Sequence, residues 1–183
     1  MRKLLLTLFA LFWAGAAFAA NPLTTLTLPA TTTAYTAGQL MATSATGTSV
    51  VVPKFYIQAF TGTGSVLIFR GRLQINDTLA SSWNGQTITI DFWDVAPTFA
   101  AGSGDRSTFN PATGTANHHG SLTCTLGLIY GDGVYGDCTV ANGNAISWSV
   151  PSGQQVYWTA TATTGSGTVT ASDIVGFTPE IIY

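Results

Sequence analysis

The hydrophobic and polar positions of this chain alternate with a period of two. In Thr87-Ile88-Thr89-Ile90-Asp91-Phe92-Trp93 one side carries Ile88, Ile90 and Phe92, and the other Thr87, Thr89, Asp91 and Trp93. That is a half-buried antiparallel strand with a mostly polar outer face. Similar runs recur between turn signals: Val50–Phe60, Ser65–Gln74, Gln86–Trp93, Ser121–Tyr130, Val134–Val140, Ala145–Val150, Gln154–Ala162, Thr168–Ala171 and Ile174–Ile182. No helical period of 3.6 residues follows the first twenty residues. Eight to nine short strands in one chain predict an all-β fold, an antiparallel two-sheet sandwich of jelly-roll or immunoglobulin-like type. The connection from Asp94 to Gly120 is long for a compact domain and predicts a functional loop or a hidden strand, with Ser107–Phe109 the candidate.

The start of the chain departs from this pattern. Arg2 and Lys3 precede an apolar run from Leu4 to Ala14, and Ala17-Phe18-Ala19 has the small-residue form of a cleavage site. This predicts a signal peptide over 1–19 and export to the periplasm or the extracellular space. The run is shorter than the ~20 residues of a spanning helix, so no stable membrane insertion is expected once it is removed. Residues 20–49 are rich in Thr, Ala, Ser and Pro and hold one weak strand around Leu23, Leu26 and Leu28, which reads as an extended N-terminal arm. Residues 50–183 form the β-sandwich domain.

Composition narrows the function classes. The 183 residues include 30 Thr and 20 Gly, and only 8% are charged, against roughly 25% in ordinary domains. A helical bundle needs charged faces that this chain lacks. Cleavage after Ala19 would leave 4 basic and 8 acidic residues, which gives no electrostatic footprint for nucleic acid. Thr is both β-branched and polar, so its abundance follows from the outer faces of strands and calls for no chemistry.

Cys124 and Cys138 flank Tyr130-Gly131-Asp132-Gly133-Val134, and Asp132-Gly133 is a hairpin turn signal. A turn centred there sets Cys124 against a residue near 141, and a bulge at Gly136 or Gly127 brings Cys138 into place. In an exported chain the simplest outcome is an intrachain disulfide, Cys124–Cys138.

No residue set nominates catalysis, a cofactor or a metal. His118-His119 would point apart in an extended loop, and no further histidine completes a zinc site. The Ser elbow G-x-S-x-G is absent. Glu180 is the sole glutamate, and Asp91 and Asp94 read as a cross-strand partner and a turn residue, with Arg70 or Arg72 the expected partner of Asp91. Asp105, Asp132 and Asp137 lie in oxygen-rich turns that could attract calcium, but Asp is favoured there for backbone reasons alone. An outward Trp93 or Trp158 could serve as a ligand platform or as a packing aromatic.

Several stretches resemble small virion structural proteins of tailed bacteriophages. They are Thr33-Ala34-Tyr35-Thr36-Ala37-Gly38-Gln39-Leu40, Val50-Val51-Val52-Pro53-Lys54-Phe55, Arg72-Leu73-Gln74-Ile75-Asn76-Asp77-Thr78, Gln86-Thr87-Ile88, Asp91-Phe92-Trp93 and Ala96-Pro97-Thr98-Phe99. Gly104-Asp105-Arg106, Leu122-Thr123-Cys124-Thr125 and Tyr130-Gly131-Asp132-Gly133-Val134-Tyr135 with Cys138 complete the set. The order of the blocks carries the resemblance, from about Thr33 to Cys138. It implies a capsid-decorating or other minor virion role, with a β-sandwich, no catalysis and no cofactor. Phage heads assemble in the cytoplasm, so a leader implies either an apolar anchor or an exported use of the domain.

The expectation is therefore a non-enzymatic structural protein that packs against copies of itself or a larger assembly, a capsid or a fibre. A secreted carbohydrate-binding or pilin-like fibre sandwich is the alternative.

Overall fold

In a computed structural model, residues 23–30, 33–57, 63–76, 80–112, 115–131, 133–140, 144–151, 154–165, 167 and 173–182 are described. The leader expected over 1–19 and the run Thr168–Ala171 lie outside them. Ten strands are present among the described residues: β1 (Thr24–Thr27), β2 (Leu40–Met41), β3 (Lys54–Tyr56), β4 (Thr63–Asn76), β5 (Thr87–Trp93), β6 (His118–Tyr130), β7 (Gly133–Val140), β8 (Ile146–Pro151), β9 (Gln155–Ala162) and β10 (Ile174–Ile182). All ladders are antiparallel. The all-β sandwich is what the alternation predicts. Its layers are two halves of one curled sheet, ordered β1-β10-β4-β7-β6-β5-β9-β2, with β8 added to β4 and β3 to β9.

The curl brings the two ends of that order face to face. Phe177 of β10 lies 5.7 Å from Phe92 of β5 and 5.6 Å from Trp158 of β9, centroid to centroid. The Trp158 indole N–H donates to Thr24 Oγ1 of β1 at 2.7 Å. Between the halves the core is apolar and fully buried, with Leu73, Ile75, Ile88, Ile90, Leu122 and Val134 at zero exposure.

Strand β4 makes the corner. Val66 and Ile68 point inward, then the parity changes, and Gly71, Leu73 and Ile75 point inward. The change coincides with a register shift in β10 between Glu180 and Ile181, the bend expected of an irregular ladder. Gly71 is required there, because a Cβ would lie 2.8 Å from the Phe177 ring. One side of β4 pairs with β10 from Leu67 to Asn76. The other pairs first with β8, at Thr63–Ile68, and then with β7, at Arg70–Asn76.

Two expectations are corrected by packing. The outer face of β5 is covered: Asp91 and Trp93 are 7% and 2% exposed. The long connection lies over Trp93, with Phe109 edge-on to its ring and a second small core of Leu40, Ala42 and Phe99, while His118 and Ser121 of β6 cover Asp91. The hidden strand at Ser107–Phe109 is a single bridge, Thr108 to Gln39. Residues 20–49, read as an arm, contribute β1 and β2 to this chain's own sheet and bury Tyr35, Leu40 and Met41 at 1% exposure each.

A buried polar cluster fastens this segment to the long connection. The Tyr35 hydroxyl and the Ala42 amide both donate to Asp105 Oδ1, while Arg106 Nη1 donates to Oδ2 at 2.7 Å. Arg106 Nε also donates to the Thr33 carbonyl, and its guanidinium sits 4.4 Å over the Tyr35 ring. Burial raises the Asp105 carboxyl above its ordinary range, more than the Ala42 and Tyr35 hydrogen bonds and the Arg106 charge lower it. Burial, with the Asp105 charge next, also pushes the Tyr35 phenol far up, so it remains a donor.

Candidate functional site

The hairpin of β6 and β7 holds the disulfide and one of the exposed faces. Cys124 and Cys138 are directly opposed and fully buried, and their Sγ atoms are bonded. The register reaches this pairing through a shift between Leu126 and Leu128, so Gly127 is the extra residue. Tyr130 pairs with Gly133, and Gly131 adopts φ 58° at the turn. The hairpin therefore turns one residue earlier than an Asp132-Gly133 centre implies. Asp132 lies outside the described residues.

Beyond Leu126 the β6 side of the hairpin loses its cover, while Val134 on β7 stays in the core. Leu128, Ile129 and Tyr130 are consecutive and 58%, 44% and 71% exposed. Three adjacent apolar residues cannot all face one side of a strand, so at least one is left outward, and such a run in water is a functional signal or a fault. Leu128 pairs with Tyr135, and the Tyr130 and Tyr135 rings meet edge-on at 6.1 Å. With Arg72, Gly136 and Asp137 they line a shallow groove of about 430 Å³.

The exposed charges gather on the same side. Arg72 on β4 is the cross-strand partner of Asp137 on β7, with Nε 3.6 Å from Oδ1, and both side chains are largely exposed. Arg70, two residues away on the same face, pairs with Glu180 on β10. So neither arginine is the partner of Asp91. Among the described residues the charges elsewhere are mostly covered: Asp91 and Asp173 are buried, the Asp105 side chain is 2% exposed, and Arg106 is tied to Asp105. In so lightly charged a chain, two acids and two bases on one strand face mark it out.

The residues considered for chemistry go elsewhere. His118 and His119 belong to strand β6 and not to a loop; His118 is exposed, as expected, and His119 is half-buried. A register shift beside Trp93 leaves His119 as the bulged residue, and the two rings point apart. His118 Nε2 lies 2.9 Å from Asp91 Oδ1 and 3.4 Å from Ser121 Oγ, and the Ser121 hydroxyl donates to that same Asp91 oxygen. In a nucleophile–base–acid relay the acid holds one ring nitrogen while the nucleophile faces the other. Here Asp91 and Ser121 meet the same nitrogen, and the Ser121 hydroxyl donates its hydrogen bond to Asp91. The trio is a polar staple under the Trp93 ring, which lies 4.8 Å from His118. His119 stacks flat on Trp148 at 4.5 Å, bridging the start of β6 to β8.

Trp93 and Trp158 are buried, at 2% and 0% exposure, and neither offers a face to a ligand. Both are packing aromatics, with indole N–H groups satisfied by Thr159 and Thr24. Among the described residues no group of three or more His, Cys, Asp and Glu is placed to hold a metal ion. Asp105 faces Arg106 and Asp137 faces Arg72, so the two described members of the oxygen-rich set do not converge. Among those residues no helix is long and apolar enough to cross a membrane.

No protein-family model and no curated protein matches the chain.

Proposed function

We propose that this protein is a non-enzymatic structural component, exported and disulfide-bonded, that works by packing its β6–β7 hairpin face against protein in a larger assembly. The observation that carries the reading is the exposed run Leu128-Ile129-Tyr130 beside the paired charges Arg70, Arg72, Asp137 and Glu180. Interface centres are apolar and rich in Tyr and Arg, with polar rims. The resemblance to phage virion proteins favours a particle as that assembly, in a decorating role. A disulfide belongs to an oxidising compartment, which supports export ahead of assembly.

Immunogold electron microscopy of particles or fibres from producing cells tests this. The wild-type protein is expected on the assembled structure, and a Leu128→Ser/Tyr130→Ser variant of unchanged fold is expected to be missing from it. Assemblies that carry no label, or that incorporate the variant equally, would overturn the proposal.

A further inference from the structure

The make-up of the hairpin face also selects a partner, and this step rests on reading that face as a packing surface. Across the strands, from β10 to β7, the outward charges run Glu180, Arg70, Arg72, Asp137. The face carries both signs in equal number. A polyanion, an anionic membrane or a strongly acidic protein would be attracted by half of these groups and repelled by the other half. A surface that matches both signs in the same spacing is the face's own image.

We propose that the occupant of this face is a second copy of the chain, related by a two-fold axis that passes between Arg72 and Asp137. In such an isologous contact residue i meets residue j and j meets i. Each Arg72 then faces the partner's Asp137, and each Asp137 the partner's Arg72. The axis runs along the strands between β4 and β7, so Leu128 and Tyr130 of each copy lie over the partner's β4–β10 side, where Ile174 is exposed. Within one chain the Arg72–Asp137 pair is open to water at 69% and 76% side-chain exposure. So exposed a pair contributes little by itself, and both groups can be shared with a second copy.

Charge exchange tests this. Arg72→Glu makes the centre of the face acidic, and Asp137→Arg makes it basic. Sedimentation equilibrium of the purified, disulfide-bonded protein is measured for the wild type, for each variant alone, and for the two variants mixed in equal amounts. The wild type is expected to dimerise reversibly at concentrations up to about 1 mM. Each variant alone meets its own charge across the axis, and its dimerisation weakens about tenfold or more. The mixture restores a heterodimer, because the acidic face meets the basic one. Both sites are exposed, so unfolding midpoints should match the wild type. Tyr130→Ser, which keeps the charges and removes apolar area, gives a second route to the same weakening.

A wild type that stays monomeric at about 1 mM would overturn the proposal. So would single variants that dimerise as tightly as the wild type, or a mixture that does not re-associate. A monomer that still enters particles would remove the self-pairing and leave the packing function standing. A dimer absent from every assembly would do the reverse.

Discussion

The Tyr35 hydroxyl offers the sharpest measurement of how the N-terminal segment is held. Tyr35→Phe removes one O–H and leaves the ring in place. An O–H donated to an ionised acceptor contributes about 1.5–3 kcal/mol. Two features put the loss in the lower half of that range. Asp105 Oδ1 keeps the Ala42 amide at 2.9 Å, so the carboxylate is not orphaned, and phenylalanine strands no polar atom of its own. The ring contacts with Trp83, at 5.8 Å, and with the Arg106 guanidinium, at 4.4 Å, survive. The expected cost is about 2 kcal/mol, a large share of the roughly 5–15 kcal/mol that a domain has. Urea unfolding of wild type, Tyr35→Phe, Asp105→Asn and the double variant, followed by Trp fluorescence, gives both the loss and the coupling. The loss should also depend on pH. The hydrogen bond favours the ionised carboxylate, so its contribution is full above the raised Asp105 value and fades as pH falls through it. A loss below about 0.5 kcal/mol, or one equally large in acid, would refute the reasoning.

Removing the disulfide with Cys124→Ala/Cys138→Ala should cost about 3 kcal/mol by loop-closure entropy, for a bond spanning 14 residues of sequence separation. Thermal or urea unfolding checks the size, and both sulfurs, being fully buried, should resist reductant until the protein opens. Asp105 makes its own prediction: its carboxyl is raised in the fold, so the folded state binds the proton longer than the unfolded state. Stability attributable to it therefore falls as pH rises from the ordinary carboxylate value through the raised one, and Asp105→Asn should flatten that part of the urea midpoint against pH. Gly47→Ala should cost at least ~2 kcal/mol, because its Cβ would collide with the Ala100 carbonyl oxygen. Gly102→Ala, whose Cβ meets open space, should change the unfolding midpoint by no more than ~0.5 kcal/mol.

Period-two alternation located the strands well, since it follows directly from a sheet that buries one face. Gln86–Trp93 and Val134–Val140 map closely onto β5 and β7. The pairing of Cys124 with Cys138 was legible for a similar local reason, because a hairpin turn and one glycine bulge fix the register. Burial on the outer side was not. Nothing in Trp93 announces that Phe109, sixteen residues on, folds back to cover it, nor in Asp91 that His118 and Ser121 close over it. That cover is a long-range event with no local periodicity, and it removed Trp93 from the surface, while Trp158 is buried between the sheet halves against Phe177. The exposed tip was hidden in plain view: Leu128-Ile129-Tyr130 looks like core to a hydrophobicity count. Only the strand's parity, which cannot turn all three inward, separates it from core. The Arg72–Asp137 pairing required the β4–β7 register, which no sequence spacing supplies.

The ladder between β1 and β10 joins Thr24 to Phe177 and Thr27 to Ile174, nearly the full length of the chain. Phe177 and Val175, both fully buried, fill the space between the halves of the curled sheet. The core therefore closes only when the last strand arrives. A chain emerging from synthesis holds Phe92 and Trp158 open until residues 174–182 are free to join. Contacts of such long sequence separation make folding slow. Time spent open becomes the interval in which a chaperone can hold the protein, and a chain that stops short of β10 is left with a permanently open core for proteases to find.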